Sequence, residues 1–177
     1  NTTQTSQLTL TGYGYPGGIG KASGDPIQPG GGGGAGAAGQ DGQNTGTTKG
    51  GDGGDGIYNN FRTGTNIGYA GGGSGQSYNS AAVPTNKRST FGGGVSIDNA
   101  DTPAVENTGG GGGGAGFAPY SGPGQQGSGG SGIVVIRYPT NFITASGGNV
   151  TFYTLNGINY TAHTFTTSNT FVITAAG

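Results

Sequence analysis

Cysteine, methionine and tryptophan are absent from this chain of 177 residues. Without cysteine, disulfide staples and thiolate metal sites are excluded. Charge is scarce as well: six Lys and Arg stand against seven Asp and Glu, a formal net charge of −1. Lys21, Lys49, Arg62, Lys87, Arg88 and Arg137 are scattered apart from one adjacent pair, so the electrostatic footprint of nucleic-acid binding is missing. No apolar run approaches the ~20 residues of a membrane-spanning helix. Hydrophobic residues make up only 29%, too few for a packed apolar core along the whole chain. Disordered chains of low hydrophobicity usually carry enough charge to stay solvated, and this one does not. A start at Asn1 instead of methionine is expected of a processed chain or part of a longer polypeptide.

Glycine fills the space that those residues leave. It accounts for 46 positions, about a quarter of the chain against a usual share of roughly 7%. Cohesion must then come from backbone hydrogen bonds. The glycines are uneven: only Gly147, Gly148, Gly157 and Gly177 follow Ile133. This shift divides the chain into a glycine-rich half, residues 1–132, and a second unit, residues 133–177.

The first half cannot be helical, because each glycine inside a helix costs ~1 kcal/mol relative to alanine. Pleated sheet is no better served, since glycine offers no side chain to pack. Glycine does permit close approach of backbones, and its spacing favours one arrangement. Gly30, Gly33, Gly36, Gly39 and Gly42 repeat every three residues, as do Gly50, Gly53 and Gly56, and Gly124, Gly127 and Gly130. Polyproline II repeats every three residues and has no internal hydrogen bonds. A glycine at every third position leaves one face bare for a neighbour. We therefore expect an irregular to all-β fold with almost no α-helix, built on a bundle of polyproline II helices. Residues 30–42 as one such helix would span ~40 Å. Residues 7–15 read as one strand entering the bundle, and residues 56–70, 76–91 and 95–108 as loops at its ends.

The second unit is a small antiparallel β meander in this reading. Ile133-Val-Val-Ile-Arg-Tyr138 is β-branched and closed by Pro139, which predicts a buried strand. Apolar and polar residues alternate over 149–155, and residues 158–165 follow Asn156-Gly157, a strong hairpin signal. A last strand is expected over residues 170–174.

These residues carry a family resemblance. Gly30-Gly-Gly-Gly-Gly-Ala-Gly-Ala-Ala-Gly39, Gly50-Gly-Asp-Gly-Gly-Asp-Gly-Ile57, Tyr69-Ala-Gly-Gly-Gly73 and Gly129-Gly-Ser-Gly-Ile-Val-Val-Ile-Arg-Tyr138 together resemble the glycine-rich domain of phage tail-fibre, adhesin and related virion proteins. His163-Thr-Phe-Thr-Thr-Ser-Asn-Thr-Phe171 resembles the short β-module that follows that domain. The resemblance covers residues 29–175. It implies a packed polyproline II domain on a virion surface, outside any cytoplasm and without catalysis or cofactor. Implied partners are other fibre or virion proteins and a host surface glycan or outer-membrane protein, with the chain assembled in an oligomer. A non-viral extracellular matrix, fibre or adhesion protein is the alternative. Ice binding would favour a regular tripeptide along the whole chain, which the polar interruptions break.

Motifs of chemistry are sparse. Gly50-Gly-Asp-Gly-Gly-Asp-Gly-Ile-Tyr58 fits one copy of a calcium β-roll repeat, which makes Asp52 and Asp55 the calcium candidates, but such rolls stack several copies. Gly20-Lys21 lacks two fixed positions of a phosphate loop, which would fall on Tyr15 and Ala22. His163, the only histidine, reads as a packed strand residue. Asp98, Asp101 and Glu106 are the only pairable carboxylates of the later chain, in a polar loop with no apolar pocket to raise a pKa. The aromatic and basic residues of the loops remain as receptor-contact candidates: Tyr58, Phe61, Arg62, Tyr69, Tyr78, Lys87, Arg88 and Phe91. Tyrosine suits such surfaces because it brings area and a hydroxyl with little entropy to lose.

Overall fold

The structure, a computed structural model, describes residues 12–21, 28–43, 49–76, 91–96, 102–114 and 127–176. Among these there is no helix, and all sheets are small and antiparallel. The expected strand over residues 7–15 falls mostly outside the described part, and residues 12–15 are not in a strand.

Backbone bonds in the glycine-rich half recur every third residue. The N–H groups of Tyr15, Gly18 and Lys21 donate to the carbonyls of Gly34, Gly31 and Gln28 at 3.0, 2.8 and 2.8 Å. Gly51 and Gly54 donate to Pro29 and Gly32, both at 2.9 Å, and Gly72 and Gly75 donate to Gly54 and Gly51, both at 2.8 Å. Gly111 and Gly114 continue the array onto Gly71 and Ser74 at 2.9 Å. A pleated strand bonds to at most two neighbours, one at each edge. Residues 28–35 bond to four: residues 12–21, 37–43, 49–56 and 70–76. Successive residues therefore turn their polar groups in different directions, and the segments pack as a bundle.

Glycine is required there by space, not by torsion. The positive-φ glycines lie at Gly64, Gly92, Gly109, Gly147, Gly148 and Gly157, outside the series 30–42 and 50–56. A Cβ on Gly30, Gly33, Gly36, Gly39 or Gly42 would overlap the carbonyl oxygen of Gly18, Tyr15, Gly56, Gly31 or Gln28. Gly31, Gly34, Gly51 and Gly54, one register over, meet the backbones of Asp52, Asp55, Gln40 and Ala37 in the same way. The bare surface is thus wider than the one face read from the spacing.

The ~40 Å run expected for residues 30–42 does not form. The chain bends at residues 35–37 and returns, with Gly34 donating to Ala37 and Gly31 to Gln40, each at 2.9 Å. Both limbs bond to the same neighbours, residues 12–21 and 49–56.

Residues 56–70, expected as a loop, contain a hairpin: β1 (Ile57–Asn59) pairs with β2 (Ile67–Tyr69). The C-terminal part holds β3 (Val134–Pro139), β4 (Ile143–Ser146), β5 (Asn149–Leu155), β6 (Ile158–Phe165) and β7 (Val172–Ala176). Their order is β3-β6-β5 in one sheet and β4-β7 in another, so the connections are not strictly sequential. β3 lies at a sheet edge and is mostly half-buried, which accommodates the proline at its end. The β5–β6 turn takes positive φ at Asn156 (50°) and Gly157 (78°), as a two-residue hairpin requires. The final strand begins two residues later than residue 170. Tyr138, Ala162 and His163 are buried, and the rings of Phe165 and Phe171 extend this cluster.

Candidate functional site

The β1–β2 hairpin sorts the predicted aromatic candidates by strand alternation. Ile57 lies opposite Tyr69 and Tyr58 opposite Gly68. On one face, Tyr58 meets Phe91 edge-on, with ring centres 4.7 Å apart. A Cβ on Gly68 would run into the Phe91 ring, so glycine makes the seat for that ring. Phe91 is buried. It is a packing residue, which removes it from the surface contacts expected of it. Tyr58 stays 64% exposed.

The other face opens into a groove of about 360 Å³ lined by Ile57, Asn59, Phe61, Tyr69, Ile133 and Val135, among others. Phe61 and Tyr69 come together here. The Tyr69 hydroxyl is buried and has no hydrogen-bond partner among the described residues. Ala70, also lining the groove, holds φ of 57°, a left-handed conformation that costs a non-glycine residue ~1–2 kcal/mol. Its N–H donates to Thr108 at 2.8 Å and its carbonyl accepts from Ala35 at 2.9 Å, which holds the turn in place.

The hairpin tip docks on the C-terminal sheet. Asn59 Oδ1 accepts the Phe61 N–H at 2.7 Å, closing a local turn. The Arg137 guanidinium lies 3.9 Å from the centre of the Phe61 ring and 4.5 Å from that of Tyr160. Its Nη1 donates to Asn60 Oδ1 at 3.2 Å. Tyr153 donates its hydroxyl to the Phe61 carbonyl at 2.8 Å, and Thr151 donates to the Arg62 carbonyl at 2.9 Å. Phe61 and Arg62 thus sit at a junction between the two parts of the chain, with Phe61 still 42% exposed. Sequence spacing gave no sign of this junction, since Arg137 and Tyr153 lie far along the chain.

Tyr78, Lys87 and Arg88 lie outside the described residues, as do Asp98 and Asp101. Of the calcium candidates, Asp52 pairs with the Lys49 ammonium at 3.0 Å. Asp55 is exposed, and its carbonyl accepts the Gly36 and Ala37 N–H groups at 2.8 and 3.0 Å. Among the described residues no group of three or more His, Asp or Glu could hold a metal ion. No described helix is long and apolar enough to cross a membrane.

His163 is fully buried. Its Nδ1 lies 2.7 Å from the Gly147 carbonyl, which can only accept, so Nδ1 carries the proton. Nε2 then accepts from the Tyr138 hydroxyl at 2.8 Å. Burial pushes the Tyr138 phenol above its usual value near 10, and a backbone hydrogen bond with Ala145 works against it. The two residues lie on adjacent strands of one sheet, and the Phe171 ring meets His163 edge-on at 5.1 Å.

A scaffold bonded backbone to backbone, with aromatic side chains set at a hairpin, defines a glycine-rich domain. The family model described as a glycine-rich domain matches residues 1–139, most of the chain, and the chain belongs to that family. No curated protein and no solved structure matches it. The matched region ends with β3, whose bonded partner β6 lies beyond it.

Proposed function

We propose that the chain is a structural and binding component of a phage tail fibre or virion surface, with its exposed loops contacting a host receptor. One observation carries this reading: the interior glycine segments meet backbone to backbone in a three-residue repeat, so they supply stiffness and present few side chains. We take these segments to be polyproline II helices, whose repeat and lack of internal bonds match the pattern. Recognition then falls to what the scaffold carries, the usual division between rigid frame and binding loop. Tyr58, Phe61 and Tyr69 around the hairpin, and Tyr78, Lys87 and Arg88 in the following segment, are the contacts in this account. The resemblance to virion glycine-rich domains motivates the placement outside the cytoplasm.

The test is adsorption of labelled chain to bacterial cells and to arrays of bacterial surface glycans. The native protein is expected to bind one cell type or glycan class. A variant with Tyr78, Lys87 and Arg88 all replaced by alanine is expected to lose that binding at an unchanged melting temperature. Absence of binding to every cell and glycan, or equal binding by both proteins, would overturn the receptor reading.

A further inference from the structure

Residues 138–177 contain no Asp, Glu, Lys or Arg. Natural sheet edges are usually guarded by charges, prolines or bulges, because an open edge pairs with any strand it meets. β5 has none of these. Its seven residues, Asn149-Val-Thr-Phe-Tyr-Thr-Leu155, run in unbroken register against β6. Leu155 and Ile158 flank the two-residue turn, which makes them a hydrogen-bonded pair. By alternation, Thr151 and Tyr153 also bond to β6, while Val150, Phe152 and Thr154 turn their N–H and C=O groups outward. Among the described residues no backbone group bonds to that outer edge.

The side chains on these outward positions are apolar or uncharged and open. Phe152 is 73% exposed and Val150 38% exposed. They lie on the face opposite Thr151 and Tyr153, which receive the hairpin tip, so the docked tip does not cover them.

We propose that β5 joins two copies of the chain, pairing antiparallel with its own counterpart about a two-fold axis at Phe152. In that register Phe152 faces Phe152 of the second copy, and Val150 faces its Thr154. Both are favourable cross-strand pairings of aromatic or β-branched residues. The outward N–H and C=O groups then match in hydrogen-bonded pairs, about six bonds in all. The two three-stranded sheets become one of six strands in the order β3-β6-β5-β5-β6-β3. A second copy suits this edge because the strand is self-complementary under the two-fold axis. Neither β5 nor β6 contains an Asp, Glu, Lys or Arg, and the nearest guanidinium, that of Arg137, lies on the face that receives the hairpin tip, so no charge on the strand itself repels a second copy. The inference does not depend on the receptor reading and concerns a different surface.

Sedimentation velocity over a hundredfold range of concentration tests it, since dimers joined by a single strand pair form by mass action. The native chain is expected to shift from monomer to dimer as concentration rises. Phe152→Lys and Phe152→Asp are each expected to remain monomeric, with melting temperatures close to native because residue 152 is exposed. An equimolar mixture of the two variants is expected to restore dimers, since opposite charges then meet on the axis. A native chain that stays monomeric throughout, a trimer in place of a dimer, or dimers that persist in both single variants would overturn the proposal.

Discussion

The guanidinium of Arg137 sits between the rings of Phe61 and Tyr160, 3.9 Å from the centre of one and 4.5 Å from the other. It is the only charge within β3, and it ties the hairpin tip of the glycine-rich half to the C-terminal sheet. An arginine can stack on two rings and still donate to Asn60 Oδ1, because its plane and its N–H groups point in different directions.

Arg137→Ala is therefore expected to destabilise the protein by ~1–2 kcal/mol, the scale of a partly desolvated cation–π contact. Arg137→Lys should recover less than half, since a lysine cannot stack a planar group on both rings. Thermal melting of the three proteins reads this directly. Full recovery by lysine would show that charge alone matters at the junction.

Glycine-to-alanine exchanges separate close contact from mere flexibility. A Cβ on Gly72 would overlap the carbonyl oxygen of Gly32, whereas a Cβ on Gly132 meets nothing within 4 Å. Gly72→Ala is expected to cost ~1–3 kcal/mol through overpacking, and Gly132→Ala to leave the melting temperature near native. The same contrast holds between Gly36→Val, which drives a branched side chain at the Gly56 carbonyl, and Gln40→Val at an exposed position. Equal melting temperatures within either pair would contradict the contact argument.

Tyr138 gives the pH dependence. Its phenol titrates above the ordinary value near 10 when folded, so above that pH the folded state holds more protons than the unfolded one. Stability from this group is complete below pH 10 and falls as pH rises through the raised value. Tyr138→Phe should remove that part of the alkaline loss while costing ~1–3 kcal/mol at neutral pH, because the buried His163 Nε2 loses its donor. Melting curves of both proteins at neutral and alkaline pH check the two effects together. Parallel alkaline loss in the two would disprove the assignment to Tyr138.

Much of this architecture was legible in the sequence, and the exceptions have a physical cause. The limits of β5 and β6 and their Asn156-Gly157 turn follow from local alternation and turn chemistry, and they hold. The period-three glycines pointed to backbone contact, and each described glycine of the first two series makes one. The bend at residues 35–37 was hidden because alanine and glycine permit a bend without announcing it. β1, β2 and β4 are three or four residues long, too short for a periodic signal. Of the receptor candidates, the burial of Phe91 depends on Gly68 and Tyr58, which lie on a strand pair that the spacing did not show. The seat of Arg137 on Phe61 depends on contacts across most of the chain, and nothing local encodes them.

Amide hydrogen exchange resolved by NMR tests the central claim most directly, because it reads the three-residue bonding pattern donor by donor. The account predicts slow exchange at Gly31, Gly34, Gly51, Gly54, Gly72 and Gly75, whose N–H groups are bonded across segments. It predicts fast exchange at Gly17, which makes no such bond and lies in an exposed stretch. Uniformly fast exchange through all these glycines would contradict the bonded bundle and, with it, the rigid platform on which the proposed function rests.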